Sequence, residues 1–542
     1  MTRETSFFKP GANAASPCDG ANSSAHAVPA PVTTSAHFHA PLEPAAVRSI
    51  IAGIMLAMFL SALEQTIVAP ALPTIGVRLG DIENLSWVVG AYLLCATAVT
   101  PLFGKLSDIY GRRTILLIGV TIFIVGSVAC ALAPTMVALI IARALQGVGG
   151  GGILPIAQTI IADLVPPRDR ARYQTQSAVM FMIASVVGPV LGGFLTDRLH
   201  WSLIFWINLP LGAVALLMSY RALAHLPRNE RPHRLDWVGG ALMLAASLSL
   251  MLAMTWGGVR YPWGSWPIAS LLTCSATLWA LFGWHLGRVV EPFIPPSVLR
   301  EPVVAGNVAA GFFSIGAIIG LSIYLPLYLE LVLGASPSLS GSVLIAFTVG
   351  TVLGAFAAGR GLGRHRHYKR IPVGGLILSI VALAVLALGR DLSIASIAAL
   401  LFLCGGGIGT MYPVTTVLTQ NAVQPHQFGV ATGTVNFFRL LGGTIVVAGF
   451  GAIVLSGIDP AGGLIALDRF SHGLTVRPQG MAAADFAGVF AWVFAAAAGC
   501  LSAALIALAF VEERPLRGAA AAPQPAAATA AETTPHAPVA AE

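Results

Sequence analysis

The sequence predicts an all-α polytopic membrane protein that crosses the bilayer fourteen times. Of its 542 residues, 56% are apolar and only 10% are charged. Apolar stretches of spanning length recur along the chain, and Lys and Arg are concentrated in alternate connections between them. A soluble domain usually carries about 25% charged residues. The composition therefore excludes a soluble enzyme, a nucleic-acid-binding protein and a disordered protein, although the net charge is +7.

The two ends of the chain differ from the rest. Residues 1–48 are rich in Ala, Pro, Ser and His and contain no apolar run, so we expect a disordered tail and no secretory signal. Residues 512–542 form a second low-complexity tail. The activity is expected to lie between these two tails.

The region between the tails divides into apolar segments of membrane-spanning length, since about 20 apolar residues cross the hydrocarbon core. The predicted spans are 50–72, 86–103, 114–133, 136–161, 174–196, 202–222, 237–256, 267–286, 303–331, 341–359, 372–389, 393–419, 430–456 and 484–511. Merging or dropping segments at the seventh and eighth spans would leave twelve.

The positive charges predict the orientation. An even number of spans places both termini on one side, and that side holds 22 of the 30 Lys and Arg residues. The other side holds six, and only Arg143 and Arg439 lie within spans. Because cytoplasmic connections carry the Lys and Arg excess, both termini are predicted to be cytoplasmic.

Five of the six cysteines lie inside apolar runs, which fits neither a disulfide framework nor a metal site.

An internal repeat supports the even number. A shift of 258 residues superposes four pairs of residues: Gly149 on Gly407, Gly151 on Gly409, Pro155 on Pro413 and Pro167 on Pro425. Two parallel six-helix bundles, 49–222 and 303–511, separated by two inserted helices at 237–286, would produce this offset. Parallel repeats of this kind recur in secondary transporters.

The connection between the second and third spans carries a specific motif. Residues 104–113 read GKLSDIYGRR, which resembles motif A of the major facilitator superfamily. Gly104 and Gly111 allow a tight turn, and Asp108 can accept hydrogen bonds from a helix N-terminus. Arg112 and Arg113 can anchor at anionic headgroups. The resemblance implies a conformational switch, and the alternative is an ordinary positively charged turn.

The fourth span contains an arginine, whose insertion into a bilayer costs about 2.5–3.5 kcal/mol. Residues 143–149 read RALQGVG and resemble motif B of the same superfamily. Arg143 is therefore a functional candidate, and a structural ion pair between two helices is the alternative. The glycines also fit a dinucleotide-binding pattern, but no strand precedes them.

The fifth span ends in GPVLGG, which resembles motif C, the antiporter signature. The matching residues are Gly188, Pro189, Gly192 and Gly193. Proline kinks a helix and glycines permit close helix approach, which suits a bending surface. Ala184 and Thr175 stand where the fuller signature has glycines, so static helix packing is an alternative.

The first span is similar to the first-helix motif of the fourteen-helix drug:proton antiporters, the QacA/EmrB-like subfamily. Residues 63–73 read LEQTIVAPALP, with Glu64 in place of the usual Asp. The resemblance covers most of residues 50–511. It implies the major facilitator fold, alternating access, and proton-driven export of amphipathic, often cationic, toxic compounds across a bacterial inner membrane.

Depth along the helices predicts a relationship between two charged residues. At 1.5 Å per residue, Glu64 lies roughly 21 Å, and Arg143 about 20 Å, from the cytoplasmic side. A pair between them is therefore allowed. Because burial favours a neutral carboxyl group and a nearby cation favours its charged form, our hypothesis is that this pair takes up and releases the coupling proton.

Other polar residues are candidates for the substrate cavity. They are Gln65, Gln146, Gln158 and Arg439, and interhelical hydrogen bonding is the alternative.

The expected partners are a small amphipathic substrate, protons, membrane lipid and, as an open question, an accessory export protein. No nucleic acid, metal or cofactor beyond the proton gradient is expected. No catalytic grouping is visible, so we do not expect an enzyme. An exporter or symporter dedicated to one metabolite, and a non-transporting sensor on the same fold, are the alternative functions.

Overall fold

The protein is described here by a computed structural model, which covers residues 44–81, 84–223, 235–258, 260–364, 367–389, 392–458 and 483–516. Most of the predicted tails, 1–48 and 512–542, lie outside these ranges. Within them the chain is helical and contains no β-strand. Fourteen helical segments of the described chain are long and apolar enough to cross a membrane, which confirms the predicted number.

The first half contains six spans. Its helices are α1 (Pro44–Ile67), α2 (Leu72–Leu79), α3 (Ser86–Tyr110), α4 (Arg112–Ala131), α5 (Met136–Leu164), α6 (Pro167–Arg198), α7 (Leu203–Trp206) and α8 (Asn208–Ala222). The first span ends in a short 3-10 turn at Ala69–Ala71, where Pro70 interrupts the helix. The sixth span combines α7 and α8.

The remaining helices form the inserted pair and the second half. They are α9 (Trp237–Trp256), α10 (Trp266–Leu286), α11 (Pro296–Arg300), α12 (Pro302–Leu331), α13 (Pro337–Arg364), α14 (Arg370–Leu388), α15 (Ile394–Gly409), α16 (Met411–Ala422), α17 (Phe428–Ile458) and α18 (Ala483–Ala509). Helices α15 and α16 together make the twelfth span, with a break at Thr410.

The two halves repeat one packing pattern. In the first half α3 packs on α5, α4 on α5, and α1 on α6 and α8. In the second half the corresponding pairs are α13 with α15, α14 with α15, and α12 with α17 and α18. The halves meet through α3 against α17 and α6 against α13, which are also equivalent pairs. The structure therefore has the two parallel six-helix repeats that the sequence offset predicted.

The inserted helices α9 and α10 form a pair that packs at the junction of the halves. Helix α9 contacts α3 of the first half and α17 of the second. Apolar contacts fill this junction, including Leu94 of α3, Met251 of α9 and Phe437 of α17 in one buried cluster. The pair thus touches both repeats at their shared edge.

A polar cap fixes one end of the inserted pair. Asp236 precedes α9, accepts the backbone N–H of Gly239 at 2.8 Å, and forms a hydrogen bond with Nε2 of His285 of α10 at 2.8 Å. The backbone N–H of Phe293 donates to its second oxygen at 3.1 Å. Partial burial raises the pKa of Asp236, but the hydrogen bonds from His285, Gly239 and Phe293 outweigh that effect and lower the pKa below its ordinary value of 3.8.

Residues 512–516, within the predicted C-terminal tail, pack against the second half. The Glu513 carboxylate accepts the backbone N–H of Lys369 at 3.1 Å, and the Lys369 ammonium donates to the carbonyl of Ala509 at 2.8 Å. Tyr368 donates its hydroxyl to the carbonyl of Arg514. Burial and the nearby Glu513 raise the pKa of Tyr368 to about 12, so it remains a neutral donor.

Candidate functional site

Glu64 lies at the centre of the first half. It is 0% exposed, on the face of α1 that points towards α5 and α8. One carboxylate oxygen forms an ion pair with Arg143, which is 1% exposed, and the other accepts the side-chain N–H of Asn208. Two opposite charges are therefore neutralised inside an apolar bundle, the arrangement that makes burial of charge tolerable.

Arg143 is held from three directions besides Glu64. Its Nε donates to the carbonyl of Val88 in α3 at 2.8 Å, and its Nη1 also donates to Oε1 of Gln146 at 2.6 Å. The Tyr92 ring lies 4.5 Å from the guanidinium carbon, which is a favourable cation–π distance. The guanidinium thus joins α1, α3 and α5.

Gln146 continues the network to α4. Its amide donates to the hydroxyl of Ser127 at 2.7 Å, and Asn208 reaches the same hydroxyl at 3.4 Å. Gln146 is 0% exposed. The structure therefore places Gln146 in interhelical hydrogen bonding beside the ion pair, the alternative that the sequence left open for it.

The motif A aspartate connects the two halves. Asp108, at the end of α3, accepts the backbone N–H of Gly429 at 3.0 Å and that of Val430 at 2.7 Å. Both amides belong to the first turn of α17, where N–H groups lack intrahelical acceptors and attract negative charge. Asp108 also pairs with Arg112. The predicted contact with a helix N-terminus is present, and it crosses between the halves.

Neighbouring motif A residues support this contact. Arg112 Nε forms an ion pair with Asp163 of α5 at 3.0 Å, so the guanidinium binds two carboxylates. Arg113 packs its guanidinium 4.7 Å from the Tyr220 ring.

The motif A glycines have conformational and packing roles. Gly111 has φ of 88°, a conformation that favours glycine between two helices. The prediction that Gly104 lies in the turn is wrong, because α3 continues to Tyr110; Gly104 instead allows α17 to approach, since a Cβ atom there would lie only 3.0 Å from the carbonyl carbon of Gly429.

Motif C packs on the turn of α1 that follows Glu64. A Cβ atom at Gly188 would lie 2.8 Å from Cβ of Thr66, and one at Gly192 would lie 3.1 Å from the carbonyl carbon of Ile67. Pro189 lies inside α6. Gly193 has nothing within 4 Å of its Cβ position. Two of the three motif glycines therefore bring α6 against the helix that carries the buried carboxylate.

A second polar cluster joins α5 to the second half. Gln158 donates its amide to the hydroxyl of Tyr412 at 2.6 Å and accepts from Asn436 at 2.8 Å. The side chain of Gln420 donates to the carbonyl of Gln158 at 3.3 Å. Gln158 is fully buried, six residues before the end of α5. This cluster closes the two halves against each other on the same side of the membrane as Asp108.

Arg439 belongs to this second cluster. It donates to Oδ1 of Asn436 at 3.2 Å, to the hydroxyl of Thr415 at 2.6 Å and to that of Thr416 at 3.1 Å. Its guanidinium carbon is 4.6 Å from the Tyr412 ring. Gln65, by contrast, is exposed on α1 and donates to the carbonyl of Ser61 in its own helix.

The chemistry available in these clusters is acid–base chemistry and hydrogen bonding. Across the described ranges, no three His, Cys, Asp or Glu side chains are grouped as a metal site would require. The arrangement contains the buried Glu64 carboxylate beside Arg143, the Asp108 carboxylate beside Arg112, and two sets of hydrogen bonds between halves. Such a set can couple the charge of Glu64 to the relative position of the helices that hold it.

Sequence comparison identifies the family. Residues 54–447 match the Major Facilitator Superfamily. The chain belongs to this superfamily. An uncharacterized MFS-type transporter of Mycobacterium tuberculosis is 38% identical over 419 residues, which cover 77% of this chain and 61% of that protein. The chain thus spans less than two thirds of that relative's length.

A second relative and a solved structure agree with this membership. The multidrug transporter protein MdtP of Bacillus subtilis is 32% identical over 405 residues, 75% of each chain. The outward-facing structure of a bacterial homologue of the iron transporter ferroportin has a TM-score of 0.61 at 12% identity, covering 86% of this chain and 100% of that one. The likeness to the solved structure concerns the fold. The fourteen spans and the multidrug relative fit the fourteen-helix drug antiporters of this superfamily.

Several site residues of this superfamily member were not anticipated from the sequence. Asn208 and Ser127 complete the Glu64 network, and Tyr412 and Asn436 bind Gln158. A polar side chain inside an apolar span was the available signal for Asn208. Asn436 also lies three residues before Arg439, so both occupy one helix face.

Proposed function

We propose that this protein exports amphipathic small molecules in exchange for protons, by alternating access across the cytoplasmic membrane of a bacterium. The proposal follows the fourteen-helix antiporter pattern, with drugs and other toxic compounds as the expected cargo. The observation that carries it is the fully buried ion pair between Glu64 and Arg143 in a chain of a transporter superfamily. Ionisable groups inside a membrane bundle are costly and mark ion or proton pathways.

Proton exchange would occur at the Glu64 carboxylate. When Glu64 is charged, it accepts hydrogen bonds from Arg143 and Asn208. Protonation removes the charge, weakens the ion pair and leaves Arg143 bound to Val88, Gln146 and the Tyr92 ring. Because Val88 belongs to α3, a change of charge at Glu64 reaches the helix whose other end carries Asp108.

Movement between the two access states would break the contacts between halves. The Asp108 contact with α17 and the Gln158 contacts with Tyr412 and Asn436 join the halves near the ends of α3 and α5, the side on which α1 begins. With the termini in the cytoplasm, these contacts close the cytoplasmic side. Packing of Gly192 on Ile67 would transmit bending of α6 to α1.

No cofactor besides the proton gradient is needed for this proposal, and no nucleic acid takes part. Membrane lipid surrounds the helices as solvent. An accessory export protein is an additional proposed partner where the substrate must cross a second membrane. Resistance to antibiotics is the expected phenotype when the exported compounds include them.

The experiment is accumulation of a fluorescent amphipathic dye in efflux-deficient bacterial cells. Cells that express the native protein, the Glu64→Gln variant or no protein are compared with and without a protonophore. Lower accumulation with the native protein alone, abolished by the protonophore, is the expected result. Equal export by Glu64→Gln would contradict the role of Glu64, and export that survives the protonophore would contradict proton coupling. The metabolite-specific alternative gains support if the native protein exports no dye of any charge.

A further inference from the structure

Asn208, the first residue of α8, binds the Glu64 carboxylate together with Arg143. The Asn208 side chain is 0% exposed. Its amide nitrogen Nδ2 donates to Oε2 of Glu64, while Nη1 of Arg143 donates to Oε1. Nδ2 also reaches the hydroxyl of Ser127 in α4 at 3.4 Å. Asn208 thus gives one hydrogen bond to the charged form of Glu64.

The other end of the Asn208 amide has no partner. Its oxygen Oδ1 is buried and accepts no hydrogen bond from the described part of the chain. Buried polar atoms without a partner are rare, and each one requires an explanation. Donation to the carboxylate uses Nδ2 alone, so the charged form of Glu64 does not account for this buried acceptor.

Protonation changes the hydrogen bonds that Glu64 requires. A carboxylate only accepts hydrogen bonds, whereas a carboxylic acid also carries one O–H donor. Arg143 and the amide nitrogen of Asn208 are themselves donors, so neither can accept from this O–H group. The acid form of Glu64 therefore needs an acceptor that the charged form does not need.

Two other acceptors of this network are already occupied. The hydroxyl of Ser127 accepts from the amide of Gln146 at 2.7 Å and donates its own proton to a carbonyl of its own helix at 2.9 Å. Oε1 of Gln146 accepts from Arg143 at 2.6 Å. Within the described ranges, Oδ1 of Asn208 is the acceptor of this network that lacks a donor.

We propose that Asn208 is a positioning residue that serves both protonation states of Glu64. In the charged state Nδ2 donates to the carboxylate, as in this structure. After protonation the side-chain amide turns about its terminal torsion, and Oδ1 accepts from the new O–H group. The two ends of an amide are nearly equal in size, so the turn needs no additional space. The only covalent change is the O–H bond at Glu64, which forms on proton uptake and breaks on release. This assignment rests on the proposed function, in which Glu64 carries the proton.

Turning of the amide also affects a contact between two other helices. Asn208 lies at the point where the sixth span changes from α7 to α8. When Oδ1 takes the place of Nδ2, the N–H group leaves the hydroxyl of Ser127, which belongs to α4. The protonation of a carboxyl group on α1 therefore changes a hydrogen bond between α4 and α8.

The helices around Glu64 contribute three ionisable side chains that interact with it. They are Arg143 of α5, Tyr92 of α3 and Cys130 of α4. Arginine stays charged in proteins, and tyrosine and cysteine ordinarily titrate above about pH 8. The ionisable side chains of α6 and α8 lie towards the ends of these helices. Below about pH 8, Glu64 is therefore the group of this network that changes its charge.

The test is infrared difference spectroscopy of the purified full-length protein in detergent, from about pH 8 to pH 4. Asparagine labelled with carbon-13 at its side-chain carbonyl identifies the amide bands by their isotope shift. The native protein is compared with Glu64→Gln, Asn208→Leu and the control Asn307→Leu. Leucine has the branched side-chain shape of asparagine without its polar atoms. Asn307 of α12 is a matched control, because it is 0% exposed and its Oδ1 also lacks a partner among the described residues.

Acidification of the native protein is expected to produce a protonated-carboxyl band that Glu64→Gln lacks. At the same midpoint, one labelled asparagine carbonyl band should move to lower frequency, because its oxygen begins to accept a hydrogen bond. Glu64→Gln and Asn208→Leu should each lose this asparagine shift, and Asn307→Leu should retain it. The comparison of native protein with Glu64→Gln remains decisive if Asn208→Leu does not fold.

Three results would overturn the assignment: a Glu64 carboxyl band without an asparagine shift, a shift that persists in Glu64→Gln, or a shift that persists in folded Asn208→Leu. The outcome is separable from that of the export function. An asparagine shift without proton-driven export would leave the role of Asn208 intact and remove the proposed function. Proton-driven export through Glu64 without the shift would do the reverse. A native protein that lacks the carboxyl band would contradict both.

Discussion

The backbone N–H of Val430, in the second half, donates to Oδ2 of Asp108, in the first half, at 2.7 Å. This bond and its neighbour from Gly429 bind the end of α3 to the start of α17. The two helices form one of the two equivalent junctions between the repeats. The halves are therefore held together where α3 ends and α17 begins, and separating them there requires Asp108 to lose both partners.

The Asp108→Asn variant is expected to let the halves separate at this junction more often. The amide keeps one acceptor oxygen but loses the charge that favours two helix N-terminal amides and Arg112. The measurement is maleimide labelling of a cysteine at Thr432, which is 3% exposed, after the native cysteines are replaced. Labelling in inside-out vesicles should be several-fold faster with Asp108→Asn. The control is Asp197→Asn, at an exposed position near the end of α6. Equal labelling rates with both substitutions would contradict the role of Asp108 in holding the two halves together.

Substitution of either partner of the Glu64–Arg143 pair should destabilise the protein strongly. Glu64→Gln and Arg143→Gln each leave one buried charge unpaired, which costs about 3–5 kcal/mol. The double variant removes both charges and should lose much less than the sum of the two single losses. Unfolding of the purified proteins in detergent gives all three free energies. Additive losses would show that the two groups do not interact.

Two adjacent glycines of motif C should respond differently to alanine. Gly192 packs on the backbone of Ile67, whereas the Cβ position of Gly193 is open. Gly192→Ala therefore forces α1 and α6 apart and is expected to lower the melting temperature by several degrees. Gly193→Ala should leave it nearly unchanged. A similar response from both variants would show that the close contact with α1 is not what requires glycine.

Lowering the pH should destabilise the inserted pair α9 and α10, because Asp236 becomes protonated. Because its hydrogen bonds lower its pKa below 3.8, the charged form stabilises the folded state at neutral pH. That contribution is lost as the pH falls through the lowered pKa. Asp236→Asn removes the charge at every pH, so the stability difference between native and variant should shrink below about pH 4. Thermal unfolding from pH 6 to pH 3 measures this difference, and a constant difference would contradict it.

Much of this architecture can be predicted from the sequence because membrane burial leaves simple signatures. The lengths of the spans follow from hydropathy, and the matching depths of Glu64 and Arg143 follow from the helical rise. Which side chains contact each other between helices does not follow from these signatures. Since most spans are apolar all round, hydropathy does not define how each helix is rotated about its axis. The sequence does not indicate that Asn208 is the partner of Glu64, because other polar groups lie at a similar depth. It does not indicate that Val430 is the partner of Asp108 either, because other helix ends lie at a similar depth.

The contacts of Gln158 could not be predicted from the sequence either, and they join residues that are far apart along the chain. Gln158 and Tyr412 are 254 residues apart, in different repeats. Their contact depends on how the two bundles meet, which the sequence of either bundle does not specify. The polar residues were recognisable as candidates for the site, but whether each faced a cavity or a neighbouring helix required the packed structure. Gln146 illustrates this, because only the packing shows that its side chain, on α5, faces Ser127 of α4.

The central claim is that Glu64 carries the proton exchanged for substrate. The most direct test is substrate-dependent proton movement in proteoliposomes that contain a pH-sensitive dye. The native protein should move protons when substrate is added on one side. Glu64→Gln protein that has been shown to be folded should move no protons, yet should still exchange labelled for unlabelled substrate across the membrane. Proton movement by Glu64→Gln equal to that of the native protein would contradict the account, as would native transport of substrate with no accompanying proton movement.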